Sequence, residues 1–110
     1  MTDKTIFEKI AEREEPATFL YEDEHYMIIE SIDLVAPVHC LAMPKKAVPG
    51  ISQLTEDQLH IPGDLIKVAK SFLQKEGVEN FKLTFNGGKY LHIPDHLHLH
   101  ILGGDNLKDS

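Results

Sequence analysis

Four histidines lie close together in the last fifth of the sequence. His92, His96, His98 and His100 fall within nine residues and make up more than half of the seven histidines. An imidazole can bind a metal, carry a proton near neutral pH, or attack an electrophile through its unprotonated nitrogen. A cluster of this size therefore indicates a chemical site rather than an ordinary surface segment.

The last three of these histidines alternate with aliphatic residues, which is the pattern of a β-strand. His96, His98 and His100 occupy one face of the strand, and the other face is aliphatic, with Leu97, Leu99 and Ile101. Because a strand rises ~3.3 Å per residue, imidazoles two positions apart are about 6.5–7 Å from each other. We expect the aliphatic face to pack in the core and the imidazoles to stand in a row on the other face.

Three interpretations of this row remain open at this point. The first is a set of surface imidazoles on a half-solvated strand. The second is a metal site in which two imidazoles at i and i+2 converge on one ion, with His39 or His92 as a third ligand. No cysteine pair supports a metal, and Asp95 is the obvious nearby carboxylate. The third is phosphoryl chemistry, in which one neutral imidazole attacks phosphorus while its neighbours hold the charged oxygens.

A short helix and three strands are predicted in the first half of the chain. Ile6, Phe7 and Ile10 have helical spacing, and Thr5 is suited to cap a helix over residues 5–13. Runs rich in β-branched and aromatic residues indicate strands at residues 18–21 and 25–29, and an apolar run indicates a third strand at residues 37–43.

A longer helix and two strands are predicted in the second half. Thr55 and Gln58 have the spacing of a capping box, so we expect a helix to begin there and Pro62 to interrupt it. Its apolar stripe continues to Leu73, and Gly77 supplies the stop. The strands are expected at residues 81–86 and 96–102.

This order of elements predicts an α+β fold in a single domain over residues 1–110. Short links on both sides of the longer helix favour an antiparallel sheet of about five strands, covered by that helix. The exposed edges of such a sheet invite pairing, which favours a dimer.

Composition excludes several classes of function. The 110 residues include 18 acidic and 11 basic side chains, a net charge of −7 with neutral histidines. No cluster of lysines and arginines is present to bind nucleic acid or an anionic membrane. No apolar run approaches the ~20 residues that span a bilayer, and the polar start lacks a secretory segment, so we expect a cytoplasmic protein. Cys40 is the single cysteine, which excludes an internal disulfide.

The histidine run resembles the His-φ-His-φ-His-φ-φ signature of the histidine triad (HIT) family, where φ is a hydrophobic residue. Other segments look like landmarks of the Hint branch of this family, in the same order, at residues 6–10, 36–39, 43–46, 86–87 and 103–104. The resemblance covers nearly the whole chain. It implies a HIT-like fold with a five-stranded antiparallel sheet and two helices, and a homodimer with a continuous ten-stranded sheet.

The resemblance also implies a reaction. The Hint branch contains nucleoside phosphoramidases, which act at the α-phosphate of a purine nucleotide of the AMP or GMP type that carries an amine or other leaving group. By position, His98 is the nucleophile that becomes nucleotidylated, His100 and His39 face the phosphate, and His96 helps to order the site. No metal or other cofactor is implied. Further positions match nucleotide-binding residues, namely Asn86, Ile32, Phe7, Ile6 and Ser31.

Two positions near the nucleotide depart from the family pattern. The family usually has Gly-Gln-Ser or Gly-Gln-Thr before the triad, whereas this chain has Leu91-His92-Ile93. Two interpretations of His92 stay open: it acts as the hydrogen-bond donor or general acid, or it is a solvated loop histidine. Ser31 stands where an acidic residue usually binds the ribose, with Asp33 nearby. The missing hydroxyl donor keeps open an alternative function, a nucleotide-binding module with little catalysis.

A structural zinc is not expected. Some relatives hold zinc with two N-terminal cysteines, and Thr5 and Glu8 occupy those positions here. A further zinc-ligand position of those relatives falls near Asp64.

Overall fold

The fold consists of two α-helices and a five-stranded antiparallel sheet, in a computed structural model that describes residues 3–31, 36–88, 96–105 and 107. The elements of the described chain are α1 Ile6–Ala11, β1 Phe19–Glu22, β2 Tyr26–Glu30, β3 Val38–Pro44, α2 His60–Lys75, β4 Phe81–Thr84 and β5 Leu99–Gly103. The predicted order of helix, three strands, helix and two strands is confirmed.

β3 lies at the centre of the sheet, whose strand order is β1-β2-β3-β5-β4. All four pairings are antiparallel. In the β3–β5 register Leu41 lies opposite His100 and His39 lies opposite Leu102. On the other side of β5, Thr84 lies opposite His100. The last histidine of the run is therefore held between two strands, which fixes the position of its backbone.

Each face of the sheet packs against one helix, because side chains alternate along the strands. The core beneath α2 is apolar and contains Ile28, Cys40, Ala42, Leu65, Ala69, Leu73, Leu97, Leu99 and Ile101. On the opposite face α1 packs through Phe7 and Ile10 against Met27, Ile29 and Met43. Burial of the aliphatic side of the histidine run confirms the prediction of its core face. The imidazole side of the run faces α1.

The first helix begins and ends at well-defined residues. The Thr5 hydroxyl accepts the Glu8 N–H at 3.1 Å, and the Glu8 carboxylate accepts the Thr5 N–H at 3.0 Å, a capping box that confirms Thr5 as the N-cap. The helix ends at Ala11 instead of continuing to Arg13, because Arg13 adopts a φ of 65°. A residue in this left-handed conformation cannot continue a right-handed helix.

Arg13 connects the end of α1 to the edge of the sheet. Its guanidinium donates two hydrogen bonds to the Glu22 carboxylate, at 2.6 and 3.1 Å, and lies 3.7 Å from the centre of the Phe19 ring. Lys45 also pairs with Glu22, at 2.6 Å. Hydrogen bonds from Arg13 and then Lys45 lower the pKa of Glu22 to about 2. These contacts hold α1 against β1.

The start of α2 differs from the prediction. The Thr55–Gln58 capping box is present, but it belongs to the 3-10 turn Glu56–Gln58, and α2 begins at His60. Pro62 lies in the first turn of α2, where backbone N–H groups have no acceptor within the helix, so the missing N–H of proline costs no hydrogen bond. Pro62 therefore does not interrupt the helix. α2 ends at Lys75, just before Gly77, whose φ is 70°.

The last strand is shorter than predicted, because it begins at Leu99 and not at residue 96. In the β3–β5 register Leu97 would lie opposite Pro44, which has no N–H to donate to a longer ladder. The Leu97 N–H instead donates to the Val48 carbonyl, at 3.0 Å. The first two histidines of the run therefore lie ahead of the strand, in irregular backbone.

Three smaller features complete the fold. β4 ends at Thr84 and not at Asn86, so Asn86 lies in the segment after the strand. Cys40 is buried in β3, and burial raises the pKa of its thiol to about 11. Across the ranges that the structure describes, no helix is long and apolar enough to cross a membrane.

Candidate active site

Two histidines on adjacent strands form the centre of the candidate site. His39 lies on β3 and His100 on β5, and alternation places His39 on the same face as Met43, which packs with α1. The two ring centroids are 5.6 Å apart, and His39 Nε2 lies 3.3 Å from His100 Nδ1. One of these nitrogens donates to the other, so the pair can share a proton.

His98 extends this pair into a row of three imidazoles. Its ring centroid lies 5.1 Å from that of His100, with the rings edge to face. Its Nδ1 lies 2.9 Å from the His96 carbonyl oxygen. A carbonyl only accepts, so His98 Nδ1 carries the hydrogen and donates it. In the neutral ring the lone pair is then on Nε2, which is the nitrogen of this ring that can attack an electrophile.

His96 is not part of this row. Its side chain has 0% exposure, and Nε2 lies 2.7 Å from the Pro44 carbonyl oxygen while Nδ1 lies 2.6 Å from the Thr5 hydroxyl. The prediction of one regular row is confirmed only in part. All three imidazoles lie on the side of the run that faces α1, where Phe7 contacts both His96 and His98, but residues 96–98 precede β5 and the His96 ring is buried. The observed row is His98, His100 and His39.

The surroundings of two imidazoles, His96 and His100, favour the neutral ring. Burial lowers the pKa of His96, against the opposing effects of the hydrogen bond to Pro44 and the negative charge of Glu8. Burial also lowers the pKa of His100, and the neighbouring His98 and His39 lower it further. Neutral imidazoles can each donate one hydrogen bond and accept another, as nucleophilic attack and proton transfer both require.

The other predicted nucleotide-binding residues lie at different depths. Phe7 is 3% exposed and meets the rings of His96 and His98 edge to face, at 5.1 and 5.3 Å, whereas Ile6 is 42% exposed. The Ser31 N–H donates to the His39 carbonyl at 2.9 Å, which places Ser31 beside the histidine row. The nucleotide-binding roles of these residues stay predictions.

Three further predictions concern Asn86, Ile32 and His92. Asn86 is exposed, two residues beyond the end of β4. Ile32 and His92 lie outside the described residues, so their predicted roles stay untested.

The described residues offer no metal site. Within residues 3–31, 36–88, 96–105 and 107, no group of three or more histidine, cysteine, aspartate or glutamate side chains is arranged to hold a metal ion. At the positions of the cysteine pair of zinc-binding relatives, Thr5 is hydrogen-bonded to His96, and Glu8 to backbone N–H groups of Thr5 and Ala47. These side chains satisfy one another and do not fit a structural zinc.

Sequence reasoning identified the imidazoles but missed two of their supports. Thr5 was predicted as a helix cap, without its contact to His96, which lies 91 residues away. Pro44 directly follows the strand predicted at residues 37–43, and its carbonyl was not predicted as the partner of His96. Neither contact has a local sequence signal, because each depends on how distant elements pack.

Known proteins are similar to this chain in sequence. Residues 4–109 match the family model described as scavenger mRNA decapping enzyme C-term binding. An uncharacterized HIT-like protein of Synechocystis is 40% identical, over 94% of this chain and 93% of that protein. Purine nucleoside phosphoramidase of Escherichia coli is 31% identical, over 94% of this chain and 90% of that protein.

A solved structure is also similar to this chain in its fold. The histidine triad protein from Clostridium difficile superposes with a TM-score of 0.90 at 30% identity, covering 100% of this chain and 99% of that one. The imidazole row, the matched sequence and the shared topology agree. The chain belongs to the histidine triad (HIT) family.

Proposed function

We propose that this protein is a hydrolase that acts at the α-phosphate of a purine nucleotide of the AMP or GMP type, with phosphoramidates or related esters as substrates. The proposal rests on the hydrogen bond from His98 Nδ1 to the His96 carbonyl, beside the rings of His100 and His39. This arrangement supplies a defined lone pair on His98 Nε2 and two neighbouring imidazoles. Similarity to purine nucleoside phosphoramidase of Escherichia coli supports the same substrate class.

The proposed reaction consists of two displacements at phosphorus. In the first, the lone pair of His98 Nε2 forms a bond to the α-phosphorus, and the bond from phosphorus to the leaving amine breaks. The amine departs with the bonding electrons and takes up a proton from the general acid of the site. In the second, water attacks the phosphorus and returns a proton to that same group, and the bond to His98 Nε2 breaks with its electron pair going back to this nitrogen. The nucleoside monophosphate is released and the neutral imidazole is restored.

The surrounding residues have distinct proposed roles. His39 and His100 face the phosphate oxygens as charge builds up on them, and the ring that does not give its hydrogen to the other donates it to these oxygens. Asn86 contacts the phosphate or the leaving group, and Ser31 contacts the ribose. Base contacts are proposed for Ile6, Phe7 and Ile32, and proton donation to the leaving group is proposed for His92.

Covalent labelling tests the role of His98. Adenosine 5′-phosphoramidate with a labelled α-phosphate is mixed with the protein, which is then denatured at alkaline pH because a phosphorus–imidazole bond is labile in acid. We expect one nucleotidyl group on the parent chain and none on His98→Gly, which also loses turnover. His25→Gln, at an exposed position, is the control and keeps both. Full turnover by His98→Gly would refute the proposal.

A second candidate function is a nucleotide-binding module with little catalysis. It is favoured by the sequence Leu91-His92-Ile93, which replaces the usual hydroxyl donor before the triad. Calorimetry with AMP, run beside a phosphoramidate turnover assay, separates the two functions. Tight AMP binding with negligible turnover would select the module, and turnover by the parent chain would select the enzyme.

A further inference from the structure

The N-cap of α1 has a second partner that lies far from it in sequence. The Thr5 hydroxyl caps the helix by accepting the Glu8 N–H at 3.1 Å, and the same oxygen lies 2.6 Å from His96 Nδ1. Thr5 is partly buried and His96 is fully buried. Capping alone requires only the first of these contacts.

The direction of the second contact follows from the other partner of the imidazole. The Pro44 carbonyl can only accept, so His96 Nε2 carries the hydrogen. In the neutral ring Nδ1 is then an acceptor, and the Thr5 O–H is the group that donates to it. The hydroxyl accepts a hydrogen bond from the Glu8 N–H and donates one to His96, so it acts as acceptor and donor at the same time.

Further contacts hold the hydroxyl and the histidine segment in place. The two oxygens of the Glu8 carboxylate accept from the Thr5 N–H at 3.0 Å and the Ala47 N–H at 3.2 Å. The Leu97 N–H, next to His96, donates to the Val48 carbonyl. The His96 ring and its backbone therefore have one defined orientation, set by α1 and by the segment after β3.

The His96 carbonyl is the acceptor of His98 Nδ1, at 2.9 Å. We propose that Thr5 is a positioning residue, whose hydroxyl holds the His96 ring and thereby keeps the His96 carbonyl where it accepts the hydrogen of His98. The proposal rests on the proposed function, in which His98 Nε2 attacks phosphorus. Thr5 touches neither substrate nor the reacting atoms, and it acts through His96.

Substitution of Thr5 separates positioning from capping. Thr5→Val keeps the shape of the side chain and removes the hydroxyl, and Thr5→Ser restores the hydroxyl. Thr55→Val is the matched control, because Thr55 belongs to the other capping box and its hydroxyl donates to Asp57 and not to a histidine. Both valine variants lose a capping hydroxyl, but only Thr5→Val also loses the contact with His96.

Two measurements are made on each variant. Nitrogen NMR of the imidazoles, on ¹⁵N-labelled protein without substrate, reports the tautomer of His96 and the hydrogen bond to its Nδ1. We expect the Nε2–H tautomer in the parent chain and in Thr5→Ser, and a higher-frequency Nδ1 resonance in Thr5→Val. In turnover assays kcat should fall about tenfold in Thr5→Val with a small change in KM, because misplacement of a reacting group slows the chemical step. Thr5→Ser and Thr55→Val should keep kcat near that of the parent.

The outcomes separate this proposal from the proposed function. An unchanged Nδ1 resonance in Thr5→Val, or an equal loss of kcat in Thr55→Val, would overturn the positioning role. If Thr5→Val does not fold, the nitrogen NMR of the parent chain still tests the role. Observation of the Nδ1–H tautomer of His96 would show that Thr5 does not donate to this nitrogen, and would overturn the proposal. If the parent chain shows no turnover, the proposed function fails while the NMR measurements still decide the Thr5–His96 contact.

Discussion

At the scale of single residues, the buried histidines connect protonation to stability. Burial holds the pKa of His96 below its usual value near 6.5, and burial followed by the charges of His98 and His39 does the same for His100. The unfolded chain therefore binds more protons than the folded chain once the pH falls below about 6.5. Mild acid should favour unfolding before the carboxylates titrate.

We expect the free energy of unfolding to fall as the pH is lowered from about 7.5 to about 5.5. The contribution of these histidines is complete above about pH 6.5 and is lost as the pH falls toward their depressed folded-state pKa values. In urea unfolding, His96→Gln should weaken this pH dependence, because an amide can donate to the Pro44 carbonyl without titrating.

The matched control for His96→Gln is Leu73→Ala, which removes buried packing but no titrating group. It should lower the free energy of unfolding by about 2–5 kcal/mol and keep the pH dependence of the parent chain. If His96→Gln showed the same pH dependence as the parent, the contribution of His96 would be disproved.

His92 carries a separate prediction at this scale. If it donates a proton to the leaving group, His92→Ala should lower kcat by on the order of 10²-fold and change AMP affinity little. Calorimetry with AMP and turnover of the phosphoramidate measure the two quantities. His60→Ala, exposed at the start of α2, is the control. Unchanged turnover, or an equal loss of affinity and turnover, would refute the acid role.

At the scale of elements, the two helices end in the same motif with different residues. Arg13 after α1 and Gly77 after α2 both adopt left-handed backbone, with φ of 65° and 70°. In each case the N–H of the left-handed residue and the N–H of the residue after it donate to carbonyls of the last helical turn, at 2.8–3.2 Å. This is a Schellman motif, for which glycine is the usual residue. The contacts of Arg13 with Glu22 and Phe19 explain why α1 tolerates a side chain there.

Two glycines around α2 should respond oppositely to the same substitution. Gly77→Ala should destabilise the fold by about 1 kcal/mol, because a Cβ is disfavoured in left-handed backbone. Gly63→Ala, inside the helix, should stabilise it by up to about 1 kcal/mol. At both positions no described atom lies within 4 Å of the added Cβ, so steric clashes do not confuse the comparison. Urea unfolding measures both, and changes of the same sign would contradict the conformational explanation.

At the scale of the whole molecule, the edges of the sheet differ in chemistry. β1 and β4 are the edge strands among the described elements. Beside β1 lie the ion pairs of Glu22 with Arg13 and Lys45, whereas β4 begins with Phe81, whose side chain is 43% exposed. Charged edges discourage pairing between sheets, and apolar ones allow it. We therefore expect the homodimer implied by the HIT family to form through β4.

A charge at each edge tests this expectation. Phe81→Glu should halve the molar mass measured by light scattering after gel filtration, because two β4 strands would place the new charges close together. Leu20→Glu, at a side chain of similar exposure on β1, is the matched control and should keep the dimer mass. A dimer that persists in Phe81→Glu, or one that Leu20→Glu dissociates, would rule out the β4 interface.

The sequence predicted the features that depend on local patterns. The alternation of residues 96–102 identified the core face, and Thr5 was recognised as an N-cap from its type and position. It did not predict that the strand starts at Leu99, because that depends on Pro44 in the neighbouring strand. It also did not predict that the His96 ring is buried, since the partners that bury this ring lie 52 and 91 residues away. Contacts of such long range have no signature in a short window of sequence.

The hydrogen bond between Thr5 and His96 joins two segments that the ribosome makes at different times. Residue 5 emerges from the ribosome long before residue 96, so α1 is made early and its partner late. A helix of six residues is not stable in isolation, so α1 must remain largely unformed until the rest of the sheet arrives. The imidazole row thus gains its support only when the two ends of the domain meet, and a nascent chain would expose Phe7 and Ile10 until then.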